Sequence, residues 1–148
     1  MVSLDIGKLP RRGRILMDSA PIIYFLEDHP EFGPRFADIF DRAEGGDYEL
    51  VISTVSLAEV LTGPLRLGNE ELADDYRAAL TAPPTWLVAD LTPEIAHRAA
   101  RIRGRSRLRL PDAVQVATAL ETSCIALVTH DVDFRALDRA AERMAVYG

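Results

Sequence analysis

Apolar residues in this chain fall into two patterns. Ile15-Leu16-Met17, Leu50-Val51-Ile52 and Trp86-Leu87-Val88 are uninterrupted runs, as is the stretch 125–128. Runs of that length with no polar alternation predict strands covered on both faces. The first run predicts a strand at 15–17, and the others predict strands at 48–52, 85–88 and 125–128, with a short fifth at 144–147. Between them the apolar positions recur every three or four residues. Phe36, Ile39 and Phe40 predict a helix over about 34–43, broken by Gly45-Gly46-Asp47. Ser19 is expected to cap a helix over 21–26, with Pro21 in its first turn. Ser53 or Thr54 caps another, carrying Val55, Ala58, Val60 and Leu61 and stopped by Gly63-Pro64. A polar helix follows over about 69–80. Thr92-Pro93 starts one that runs into an arginine stretch until Gly104, and Pro111 opens the last, which ends near Ser123.

Strands alternating with helices predict an α/β fold with a mostly parallel sheet of four to five short strands. The 148 residues are enough for one domain with its own core. Residues 1–13 read as a loose leader and 14–148 as the domain. The chain is 48% hydrophobic and 27% charged, an ordinary globular balance. No apolar run approaches the roughly 20 residues of a membrane helix, and the N-terminus lacks the apolar core of a signal peptide, so a cytoplasmic protein with no membrane partner is expected. The single Cys124 lies in an apolar context and is expected to be a buried, inert thiol.

Net charge is −6, which argues against bulk coating of nucleic acid, yet the charges are unevenly spread. Lys8 is the only lysine, and six arginines crowd into positions 98, 101, 103, 105, 107 and 109. A solvated helix face would explain such a stretch by itself. Its position just before Asp112 gives it a second meaning. Asp18 and Asp131 each close a predicted strand, and ligands in parallel sheets bind beyond the carboxyl ends of strands. Glu59 and Asp112 lie among apolar helical neighbours; for Glu59 these leave little exposed surface, so a partly buried carboxylate in need of a partner is expected. Singly each acid is explained as a cap, a turn residue or a first-turn charge. Together they form a set of hard oxygen donors suited to Mg²⁺ or Mn²⁺. Phosphate-binding glycine loops and a serine nucleophile elbow are absent, and His29, His97 and His130 lack zinc-ligand spacing.

Four stretches in series carry a resemblance: the segment 15–27, containing Met17-Asp18-Ser19-Ala20; the segment 52–60, containing Ala58-Glu59-Val60; the segment 110–120, opening Leu110-Pro111-Asp112-Ala113; and Leu127-Val128-Thr129-His130-Asp131-Val132-Asp133-Phe134. In order and spacing, from about residue 14 onward, the chain resembles the PIN-domain ribonucleases, especially the toxins of VapBC-type toxin–antitoxin pairs. The resemblance implies a three-layer α/β/α sandwich. It implies a catalytic, metal-binding quartet of Asp18, Glu59, Asp112 and Asp131, the fourth position shared with Asp133, and supporting hydroxyls at Ser19 and Thr129. It further implies a Mg²⁺- or Mn²⁺-dependent endoribonuclease with an RNA substrate, a cognate antitoxin and a homodimeric state. Arg101, Arg103, Arg105, Arg107 and Arg109 would then hold RNA phosphates without reading sequence. A different class keeps the fold and makes the chain a non-catalytic RNA- or protein-binding module. A phosphohydrolase of another doubly wound family ranks lower, because Asp18 has no second Asp two residues on.

Overall fold

The computed structural model describes residues 8–130 and 145–147. Five strands, β1 (Gly13–Met17), β2 (Tyr48–Ser53), β3 (Trp86–Ala89), β4 (Ala126–Val128) and β5 (Ala145–Tyr147), form one sheet in the order β3-β2-β1-β4-β5. Every pairing among them is parallel. Among the described residues six helices connect them: α1 (Ser19–Leu26) and α2 (Gly33–Glu44) after β1, α3 (Thr54–Arg66) and α4 (Glu70–Leu80) after β2, and α5 (Pro93–Arg105) and α6 (Leu110–Glu121) after β3. Among the described residues no helix is long and apolar enough to cross a membrane.

The uninterrupted apolar runs have a direct cause. Successive strand side chains point to opposite faces, and here both faces are covered. Leu16, Val51 and Leu127 join Ile95, Ala99, Ile102, Val116 and Ala117, contributed by α5 and α6. Their strand neighbours Ile15, Met17, Leu50, Ile52, Ala126 and Val128 join Ile22, Phe36, Ile39, Phe40, Val60 and Leu80, contributed by α1 to α4. The result is the expected α/β/α sandwich. Trp86 belongs to that second layer and packs 6.3 Å from Phe40, as a core residue.

The chain first steps from β1 through β2 to β3, then returns past β1 to build β4 and β5 on its other side. Right-handed crossovers in opposite directions put their helices on opposite faces. The strand order reverses between β1 and β4, so a crevice opens beyond their carboxyl ends. β1 is central, and Ile15, Leu16 and Met17 are fully buried.

Several boundaries differ from the sequence expectation, each for a local reason. Asp18, rather than Ser19, is the N-cap of α1: its extended backbone precedes the helix and its carboxylate accepts from Ser19 N. Of the two candidates for α3 it is Ser53 that caps, accepting from Ser56 N at 3.0 Å. Pro64 does not stop α3, which continues to Arg66. Proline forfeits one backbone bond, and near a helix C-terminus that loss is confined to the final turn. Gly68, at φ +69, then reverses the chain before Asn69 caps α4. Ahead of β1, Leu9 is buried and the Tyr48 hydroxyl donates to Pro10 O at 2.6 Å, which ties down the described end of that segment.

Candidate functional site

Asp18 sits at the reversal point. Its backbone N–H continues the β1–β4 ladder to Val128 O at 2.9 Å, and its carboxylate turns into the crevice at the start of α1. The side chain is only 8% exposed and accepts three hydrogen bonds. Oδ1 receives Ser19 N at 2.9 Å and Gln115 Nε2 at 2.9 Å, and Oδ2 receives Thr129 Oγ1 at 2.7 Å. A buried carboxylate is tolerable only with such partners. Thr129 lies just past β4, so the bond from its hydroxyl closes the seam between the two strands where the sheet order reverses.

Asp112 stands in the first turn of α6, where the helix dipole favours an acid. It is 8% exposed, and its Oδ2 lies 3.5 Å from Arg109 Nε. Glu59 departs from expectation: α3 turns Ser56 and Val60 inward, which leaves Glu59 exposed. Its carboxyl reaches the same crevice all the same. Partial loss of water pushes its pKa above the ordinary carboxylate value, the charges of Asp18 and Asp112 push it further, and Arg109 pulls it back.

Asp18, Ser19, Ala20, Glu59, Arg109, Pro111, Asp112 and Gln115 line one cleft of about 210 Å³. Three acids from three separate stretches of sequence therefore meet in it. Asp131 and Asp133, the candidates for the fourth, lie outside the described residues. Among the described residues no group of three His, Cys, Asp or Glu side chains stands close enough to hold a metal ion together. The donor chemistry fits a hard divalent cation, since all three groups are carboxylates and their mutual repulsion is visible in Glu59. The spacing of these three is not by itself a finished coordination shell.

The arginines divide. All five expected phosphate ligands are exposed, but only Arg109 borders the acidic cleft. Arg101 approaches His97 at 3.2 Å and faces a separate groove with Pro93, Glu94, Arg98 and Glu121. Arg103 bonds Leu108 O at 3.4 Å. The ring of His130 shares a hydrogen bond at Nδ1 with the Tyr24 hydroxyl at 2.9 Å and packs 4.6 Å from Phe32.

Sequence reasoning gave no role at the site to Gln115, Ser53 or Ser56. Ser53 Oγ donates to Gln115 Oε1 at 2.6 Å, and Gln115 Nε2 donates to Ser56 Oγ at 2.5 Å as well as to Asp18. All three are essentially inaccessible to water. The signal was present: a lone glutamine between Val114 and Val116 on a helix with an apolar face must find partners if it is buried.

The fold has solved counterparts. A toxin–antitoxin complex from Klebsiella pneumoniae superposes with a TM-score of 0.67 at 22% identity, covering 90% of this chain and 96% of that one. A VapBC complex from Rickettsia felis, bound to DNA from its promoter, gives 0.68 at 14% identity over 90% and 96%. A sarcin-ricin loop cleaving toxin of the VapC type from Mycobacterium tuberculosis gives 0.64 at 16% over 83% and 94%. No curated protein sequence matches. The model of the PIN domain matches residues 15–140, spanning β1 to β4 and the six described helices, and the chain belongs to the PIN-domain family.

Proposed function

We propose that this protein is a metal-dependent endoribonuclease and the toxin of a type II toxin–antitoxin pair, of the VapC kind. The observation that carries the reading is the convergence of Asp18, Glu59 and Asp112 on one cleft at the sheet reversal point. In this reading those three acids hold Mg²⁺ or Mn²⁺, with Asp131 or Asp133 as the fourth. The bound ion supplies Lewis acidity, activating a water and neutralising charge on the scissile phosphate. Asp18 provides a rigid ligand because its rotamer is locked by three donors. Ser19 and Thr129 support it, one through its backbone N–H and the other through its hydroxyl. Arg109 stands at the cleft edge to take a phosphate oxygen, and Arg101, Arg103, Arg105 and Arg107 hold phosphates farther along the strand. Single-stranded or looped RNA is the substrate class, because its bases and 2′-hydroxyls are exposed.

Likeness of fold to toxins solved in complexes supports an antitoxin partner. An arginine from that partner would satisfy the same carboxylates. A homodimer belongs to the same reading, as does a cytoplasmic location. The test incubates purified protein with structured RNAs and Mn²⁺ beside Asp18→Asn and Asp112→Asn. Cleavage by the wild type and its loss in both variants is expected. Equal cleavage by all three would sink the nuclease reading.

One observation favours the non-catalytic binding module: no three acids among the described residues form a ready-made metal group. A calorimetric titration separates the two. Heat of Mn²⁺ binding lost in Asp112→Asn favours the nuclease, and no binding by the wild type favours the module.

A further inference from the structure

The buried network around Asp18 contains more than its own stability requires. An N-cap needs one acceptor for a helix N–H, and Ser19 N already satisfies that need. Gln115 adds a second donor to the same oxygen from the opposite layer of the sandwich, 97 residues away in sequence. Its orientation is fixed from both ends. If the amide were turned over, Oε1 would face Asp18 Oδ1 at 2.9 Å, two acceptors against each other beside a charge, and the buried Ser53 hydroxyl would lose the acceptor of its proton. The donor end therefore points at the carboxylate.

The arithmetic of lone pairs follows. An ionised carboxylate has about four acceptor positions. Ser19 and Gln115 occupy two on Oδ1, and Thr129 occupies one on Oδ2. Among the described residues a single position is left, and it is on Oδ2. We propose that Gln115 is a positioning residue of the cleft: its amide ties up Oδ1, so that Asp18 offers a divalent cation one oxygen, Oδ2, in one orientation. The role rests on the nuclease reading for its purpose, though not for its geometry. Gln115 also ties Asp18 to the N-terminus of α3, the helix that carries Glu59, through Ser53 and Ser56. Two of the three acids are thus held in register by one amide, while Asp112 precedes that amide by three residues on the same helix.

A purely structural role predicts that any break in the network has the same effect, and this gives the test. Gln115→Met keeps the length and removes the donor to Asp18. Ser56→Ala removes the acceptor on the α3 side and leaves the Asp18 bond in place. Mn²⁺ affinity, read by electron paramagnetic resonance on the free ion, should fall about 10–100-fold in Gln115→Met, the usual loss when the partner that orients a ligand is removed. It should be unchanged in Ser56→Ala, because Ser53 still ties the amide to the start of α3. Equal losses in the two variants would overturn the proposal and leave Gln115 a strut. A metal-free readout stands beside it, in case Gln115→Met fails to fold. In ¹⁵N-labelled protein, the Gln115 side-chain amide proton bonded to Asp18 should move upfield in Asp18→Asn, as a charged acceptor becomes neutral. If that resonance does not move, the amide does not hold the carboxylate and the proposal falls. Should the wild type bind no Mn²⁺ while the resonance moves, the nuclease reading fails and the Gln115–Asp18 clamp stands.

Discussion

Asp18 separates folding from chemistry in a way that two substitutions resolve. Asp18→Ala removes every acceptor at once. The N-cap is worth about 1 kcal/mol. Thr129 Oγ and Gln115 Nε2 each lose a buried partner, at about 1–3 kcal/mol per stranded donor. Gln115 keeps Ser56 and water can reach the cleft, so both terms fall at the low end. Loss of one acid also relieves Glu59, a small offset in a solvated cleft. The net cost is about 3 kcal/mol, or roughly 6–12 °C in unfolding temperature for a chain of this size. Asp18→Asn behaves differently. Its amide oxygen can still accept from Ser19 N and Gln115 Nε2, and its NH₂ can donate to Thr129, whose hydroxyl reverses its role. Asn therefore keeps most of the stability and loses the charge. Urea unfolding followed by circular dichroism measures both variants against the wild type. If Asp18→Ala unfolds at the wild-type midpoint, or Asn costs as much as Ala, the hydrogen-bond account of this residue is wrong.

Three further outcomes follow from the same structure. Burial pushes the Cys124 thiol up to about 11 from an ordinary 9.0, so the folded protein holds the proton that the unfolded chain releases. That stability is complete below pH 9 and lost as pH rises toward 11, by up to about 3 kcal/mol; the alkaline decline should be shallower in Cys124→Ala, and identical declines would refute it. The pKa of Glu59 is likewise raised, so the folded state is favoured below the ordinary value of 4.5 and penalised once the group ionises. Glu59→Gln should therefore unfold at or above the wild-type temperature at pH 7 and lose that advantage at pH 4; a lower temperature at pH 7 would contradict it. Phe36 is fully buried beside Tyr24 and His130, and Phe36→Ala should cost about 3–5 kcal/mol in urea unfolding, whereas a loss near zero would mean that the cavity collapses freely.

What could be read from the residues was whatever depends on neighbours in sequence. The buried strands, the caps at Ser53 and Thr92, and the position of Asp18 at a strand end all follow from local pattern, because burial on both faces leaves an uninterrupted apolar run. Glu59 shows where that reasoning stops. Apolar neighbours suggested burial, but helix periodicity gave the inward direction to Ser56 and Val60 instead. Pro64 was read by its usual effect in a helix interior, and its nearness to the helix end overrode that effect. Gln115 was invisible for another reason. Its partners lie in β2, α3 and the β1–α1 junction, and no local rule brings those together. The arginine stretch was read as one unit, yet the helix sends Arg101 to a groove that Arg109 does not share.

The bond between Thr129 and Asp18 spans 111 residues, and that span has a bearing on synthesis. A chain emerging from the ribosome carries Asp18 early and Thr129 late. Until residue 129 has left the exit tunnel, β4 cannot dock beside β1, and the Asp18 carboxylate lacks its Oδ2 donor. The cleft is therefore finished only after residue 129 has emerged. On the proposed function, the protein would pass the synthesis of residues 18–129, in close company with ribosomal and messenger RNA, without a competent site.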